Sequence, residues 1–78
     1  METLFLLVET EVGCLEDVRR RLLAEPNVVE VDAVTGPYDI IAKVQAPHIT
    51  EALDVVVHRI RRIPGVKGTE TLVTMSGP

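Results

Sequence analysis

At 78 residues the chain has room for one domain and one small core, and a domain of that size hides only about 60% of the surface its unfolded chain exposes. A net charge of −4 excludes a general nucleic-acid surface, which needs a basic patch against phosphate, and a single cysteine excludes an internal disulfide framework or a multi-cysteine metal site. With 46% hydrophobic residues and a mean hydropathy of +0.24 there is more apolar surface than one small core can cover, which points to oligomerisation.

Leu4 to Val8 is a continuous apolar run and predicts a strand buried on both faces. It is too short for a signal sequence or a membrane span, and Glu2 precedes it. The expected compartment is therefore the cytoplasm, with no membrane partner. After Gly13 the spacing of Leu15, Val18 and Leu22 predicts a helix to about Ala24. Its early acids and later arginines suit the helix dipole, with Glu16–Arg20 and Asp17–Arg21 as i,i+4 pairs. Pro26 ends it. Val28 to Val34 is the second strand, with Val29, Val31 and Ala33 on one face and Glu30 and Asp32 on the other. Ile40 to Val44 is a third, central strand. Ile49, Leu53, Val56, Ile60 and Ile63 form the apolar stripe of a second helix opened by Pro47 and stopped by Pro64-Gly65, with Val55 off the stripe. Val66 to Thr74 is the last strand, and Ser76-Gly77-Pro78 a frayed tail.

Laid over the second half so that Leu15 falls on Leu53, the first half also brings Val18 onto Val56, Leu22 onto Ile60 and Pro26 onto Pro64. Each half is strand–helix–strand. The expected fold class is α+β, a ferredoxin-like β-α-β-β-α-β sandwich with sheet order 4-1-3-2. If Leu4, Leu6 and Val8 face the helices, then Phe5, Leu7 and Ile41 face away. A sheet back that apolar is expected to pack against a second copy, two sheets back to back in a homodimer of the α+β-barrel type.

Little in the chain suggests catalysis. His48 and His58 fall on different sides of a helix and cannot share a metal. Cys14 has no CxxC partner and suits a packing or capping role at the helix start. Gly65-Val66-Lys67-Gly68 does not match a phosphate-binding loop, and no nucleophile–base–acid spacing appears. Arg59, Arg61, Arg62 and Lys67 suit a solvated helix end better than an anion site. Phe5 alone does not make the aromatic platform of a sheet-type RNA binder. No cofactor is called for.

What stands out is the turn between strands two and three, Val34-Thr35-Gly36-Pro37-Tyr38-Asp39. Gly36 and Pro37 fix a tight turn. Its tip offers a hydroxyl, a phenol and a carboxylate, and Thr69 and Thr71 add hydroxyls from the last strand. Backbone N–H groups near Gly36 suit a carboxylate and Asp39 suits an ammonium, an inventory fitting a free amino acid. The plainer account is a hairpin turn, with the threonines present for strand propensity. A domain this small has little room for a closed pocket, so a site is expected between subunits.

Val34 to Val44 resembles the hairpin of the Lrp/AsnC transcription regulators, and Ile60 to Thr71 resembles a second segment of the same effector domain. The resemblance spans about residues 3–75. It implies a small-molecule, commonly amino acid, sensing and oligomerisation module in transcription or metabolic regulation, without enzymatic activity. It further implies dimers assembling into tetramers or octamers, with effector sites near the hairpin. Carried over residue by residue, the ligand-binding positions are Thr35, Gly36, Tyr38, Asp39, Thr69 and Thr71. Family regulators carry a helix-turn-helix DNA reader, whereas here Met1 is followed almost at once by the first strand. Residues 1–78 thus resemble a stand-alone effector domain that does not bind nucleic acid directly and that could co-assemble with a full-length Lrp/AsnC regulator. Two alternatives stay open: a small dimeric ferredoxin-like enzyme of monooxygenase type, and a purely structural oligomerisation module.

Overall fold

The computed structural model describes residues 1–75; the tail expected at Ser76–Pro78 lies outside them. The elements are β1 (Glu2–Thr10), α1 (Leu15–Leu23), β2 (Val28–Ala33), β3 (Ile40–Ala46), α2 (Ile49–Val55) running on into a π-helical turn (Val56–Ile60), and β4 (Val66–Val73). The four strands form one antiparallel sheet in the order β2-β3-β1-β4, the expected ferredoxin-like arrangement.

The core sits between the sheet and the two helices. Leu4, Leu6 and Val8 of β1 and Ile40, Ala42, Val44 and Ala46 of β3 point into it at every second position. Val18 and Leu22 of α1 and Ala52, Val55, Val56 and Ile60 of the second helical segment close it. No polar or charged side chain is buried among the described residues, so the fully buried side chains between helices and sheet are all aliphatic. Gly65 turns the chain from the second helical segment into β4 at φ +97°; a Cβ there would lie 2.7 Å from Cys14 Cβ. Cys14 accordingly packs against this turn at the start of α1, and its side chain makes no capping bond.

Three local details depart from the sequence reading. In β2 the ladder slips between Val28 and Glu30, so that Val28 rather than Val29 lines up with Val31 on the helix side. The extra residue of this β-bulge leaves Val29 exposed. On α1 the close acid–base pairs are Glu16–Arg19 at 3.7 Å and Asp17–Arg20 at 2.8 Å, spaced i,i+3. Val55, expected off the apolar stripe, is buried. It lies three residues after the buried Ala52 on one α-helical face, and the helix widens into a π turn only after it, with Arg61 N–H donating to Val56 O at 2.9 Å.

The basic residues near the end of the second helical segment do not act as one cluster. Arg59 Nε lies 2.8 Å from Glu25 Oε1, tying it to the segment after α1, and Lys67 Nζ lies 3.7 Å from Glu9 Oε2 across the sheet.

Candidate ligand site at the hairpin tip

Paired residues on adjacent antiparallel strands share a face. Leu7 stands opposite Ile41 on one side and Glu70 on the other, and Phe5 opposite Lys43 and Leu72. Phe5, Leu7 and Ile41 therefore lie together on the sheet face away from the helices, as expected. Leu72, which the sequence reading did not single out, extends their patch and is 46% exposed. By the same register Thr71 stands opposite Leu6 and Thr69 opposite Val8. These threonines are on the helix side of β4.

The β2–β3 connection closes as a hairpin at the end of the sheet where β1 finishes and β4 begins. Gly36 takes φ +116°, the region that favours glycine, and nothing lies within 4 Å of where its Cβ would be. Thr35 and Gly36 are exposed; Tyr38 and Asp39 are half-buried. Asp39 is fixed from several directions. Its N–H donates to Val8 O at 2.9 Å and its carbonyl accepts from Val34 N–H at 2.8 Å. Its carboxylate Oδ2 accepts from Thr10 N–H at 2.8 Å and from the Thr10 hydroxyl at 3.3 Å. The side chain thus adds one rung to the β1–β3 ladder.

Tyr38 reaches the other way, across to the edge strand, where its hydroxyl donates to the Glu70 carboxylate. That hydrogen bond to Glu70 raises the phenol above its ordinary value of 10.0, with burial and the Glu70 and Glu9 charges adding to it. Gly68 stands opposite Glu9 on this face, so no side chain separates Glu9 from the strand edge there.

A single chain therefore brings Thr35, Gly36, Tyr38 and Asp39 together at the tip and adds Glu70, Glu9 and Thr10. It does not bring Thr69 and Thr71 onto the same face as the Tyr38–Glu70 contact. The period of two along β4 separates Glu70 from its threonine neighbours, a signal present in the sequence. That Thr10 would meet Asp39 depends on strand pairing and has no local signature. No enclosed pocket forms among the described residues. No group of three or more His, Cys, Asp or Glu among them is placed to hold a metal.

Residues 3–78 match the family model described as the Lrp/AsnC ligand binding domain. The HTH-type transcriptional regulator FL11 of Pyrococcus horikoshii is 35% identical over 71 residues, covering 91% of this chain and 46% of that regulator. The chain thus spans about half the length of the curated regulators it matches. A homocitrate synthase of Sulfurisphaera tokodaii is 40% identical over 58 residues, covering 74% of this chain and 12% of the synthase. Among solved structures, TTHA0845 from Thermus thermophilus superposes with a TM-score of 0.93 at 35% identity, covering 100% of this chain and 98% of that one. The sheet order, the hairpin and these matches agree: this chain belongs to the Lrp/AsnC ligand-binding domain family.

Proposed function

We propose that this domain senses a free amino acid or a close analogue at the hairpin tip, in a site completed by another subunit, and passes the signal through its state of assembly. The observation that carries the proposal is the placement of the polar groups. Thr35, Gly36 and Tyr38 stand at the sheet end with no wall opposite them, while Thr69 and Thr71 face the other side of the edge strand. In one copy these two sets do not meet; the tip of one subunit set against β4 of another would enclose a small molecule between them. Asp39 shapes the tip through Thr10 and leaves one carboxylate oxygen for the site.

Back-to-back pairing through Phe5, Leu7, Ile41 and Leu72 supplies the dimer in this proposal, and contacts between hairpin tips extend it to tetramers or octamers. The aliphatic filling between helices and sheet favours ligand binding over catalysis, since a monooxygenase-like reaction needs an open, polar cleft there. No described helix is long and apolar enough to cross a membrane, and we place the site in the cytoplasm, where a transcription regulator would act. Thermal unfolding in the presence of each of the twenty amino acids tests the proposal, because a ligand bound only by the folded state raises the Tm. Light scattering on the same samples should report a change in assembly. No shift with any of them leaves the domain a structural module.

A second reading rests on the synthase match: a related domain makes up a small part of an enzyme, so the response could be passed to a catalytic partner instead of a DNA reader. Association of the purified chain with a purified Lrp/AsnC regulator, with and without amino acid, decides between them.

A further inference from the structure

We propose that Glu70 receives the ammonium group of the amino acid, with Tyr38 aiming its carboxylate. This deepens the hairpin-tip reading and rests on it. Three observations lead there. First, Asp39, the tip carboxylate that sequence alone puts forward, already has Oδ2 on Thr10 N–H and its backbone on Val8 and Val34. Only its Oδ1 is left for a ligand, and moving the side chain to offer more would undo the last rung between β1 and β3.

Second, Glu70 stands on the exposed edge strand and takes part in no ion pair among the described residues, whereas its neighbour on this face, Glu9, has Lys67 at 3.7 Å. An ionised carboxylate has roughly four acceptor positions, and the Tyr38 hydroxyl fills one of them. The rest can take a charged donor. Third, Tyr38 belongs to the hairpin and Glu70 to β4, so their contact ties the carboxylate to the segment that carries the open Gly36 turn, whose backbone can receive the ligand's carboxylate. One end of an amino acid would then face Glu70 and the other the turn. The raised phenol pKa has the same origin, the Glu70 carboxylate on its hydroxyl.

The test uses purified wild type, Glu70→Gln and Glu70→Asp, each screened by thermal shift with the twenty amino acids and, for those that respond, with the deaminated acid of the same side chain. Glu70 lies on an exposed edge, so the unliganded Tm values should stay close and confirm the fold. For the responding amino acid, Glu70→Gln should weaken binding about ten- to a hundredfold, the loss expected for a hydrogen bond to a charged group. Glu70→Asp should keep part of it. Binding of the deaminated acid should not fall in Glu70→Gln, because no ammonium is there to lose. A Glu70→Gln protein that keeps the full response, or loses amino acid and deaminated acid equally, overturns the assignment while leaving the hairpin-tip site standing. A wild type that responds to none of the twenty overturns both.

Discussion

The carbonyl of Asp39 is turned to Val34, so the N–H of Thr10 donates its hydrogen bond to the Asp39 side chain instead. Asp39→Ala would leave that half-buried N–H without its partner, and urea unfolding should show a loss of about 1–3 kcal/mol. Gly36 and Gly65 both sit at positive φ, at +116° and +97°. Gly36→Ala meets open space and should cost only the backbone strain, about 1–3 kcal/mol. Gly65→Ala adds a clash with Cys14 and should cost more in the same assay. Tyr38 is the only tyrosine and there is no tryptophan, so its phenolate absorbance can be followed alone. A folded pKa raised above 10.0 means folding favours the protonated phenol: that contribution is fully present below the unfolded value and is lost as the pH rises through the folded one. The phenol should titrate above 10.0 in the wild type and closer to it in Glu70→Gln.

At the scale of elements, the second helical segment shows that packing on the sheet selects the buried face. Within α2, Ala52 and Val55 are buried beside the expected stripe of Ile49, Leu53, Val56 and Ile60. The buried face of α2 is therefore turned toward Ala52 and Val55, leaving Leu53 half-buried; after the π turn Ile60 is buried and Val57 is exposed at 46%. Ile60 is fully buried, so Ile60→Ala should destabilise by about 2–5 kcal/mol in urea titration. Val57→Ala should stay within about 0.5 kcal/mol of wild type. A Val57 variant as costly as the Ile60 variant would show that the solvent side of this segment is covered in solution, and assembly through the helices would then replace assembly through the sheet.

For the whole molecule the open question is what covers the sheet back. Phe5, Leu7 and Ile41 are already half-buried in one copy, so covering what remains gains only part of the roughly 1.5–3 kcal/mol that full burial of such a side chain is worth. Around them lie Lys43, Glu30, Glu70 and Glu9, so a mixed-charge rim surrounds an apolar centre. Sedimentation at micromolar concentration should find dimers, and Leu7→Glu, which puts a charge at the centre of the patch, should give folded monomers. Wild-type monomers would end the back-to-back arrangement. Light scattering with a responding amino acid should report tetramers or octamers; dimers alone, with and without ligand, would remove the contact between tips from the proposal.

Much of this protein is written locally. The alternation in β1 and β3, the stripes of the two helices, the repeat that joins Leu15 to Leu53, and Gly36 in the turn are periodic or conformational signals, and the hydrophobic effect acts on them in one way only. They determined the element order, the sheet order and the apolar back of the sheet. Tertiary structure decided what depends on partners distant in the chain. The bulge at Val28–Glu30 follows from fitting β2 to β3, and the burial of Ala52 and Val55 from how α2 lies on the sheet. The sequence marked Asp39 as an acid at a tip, yet its engagement by Thr10 exists only because β1 ends beside the hairpin. In the same way Tyr38 and Glu70 are 32 residues apart in the chain and meet only across the sheet end. A carboxylate's role is set by whichever donors reach it, and strand pairing, not local sequence, brings those donors into range.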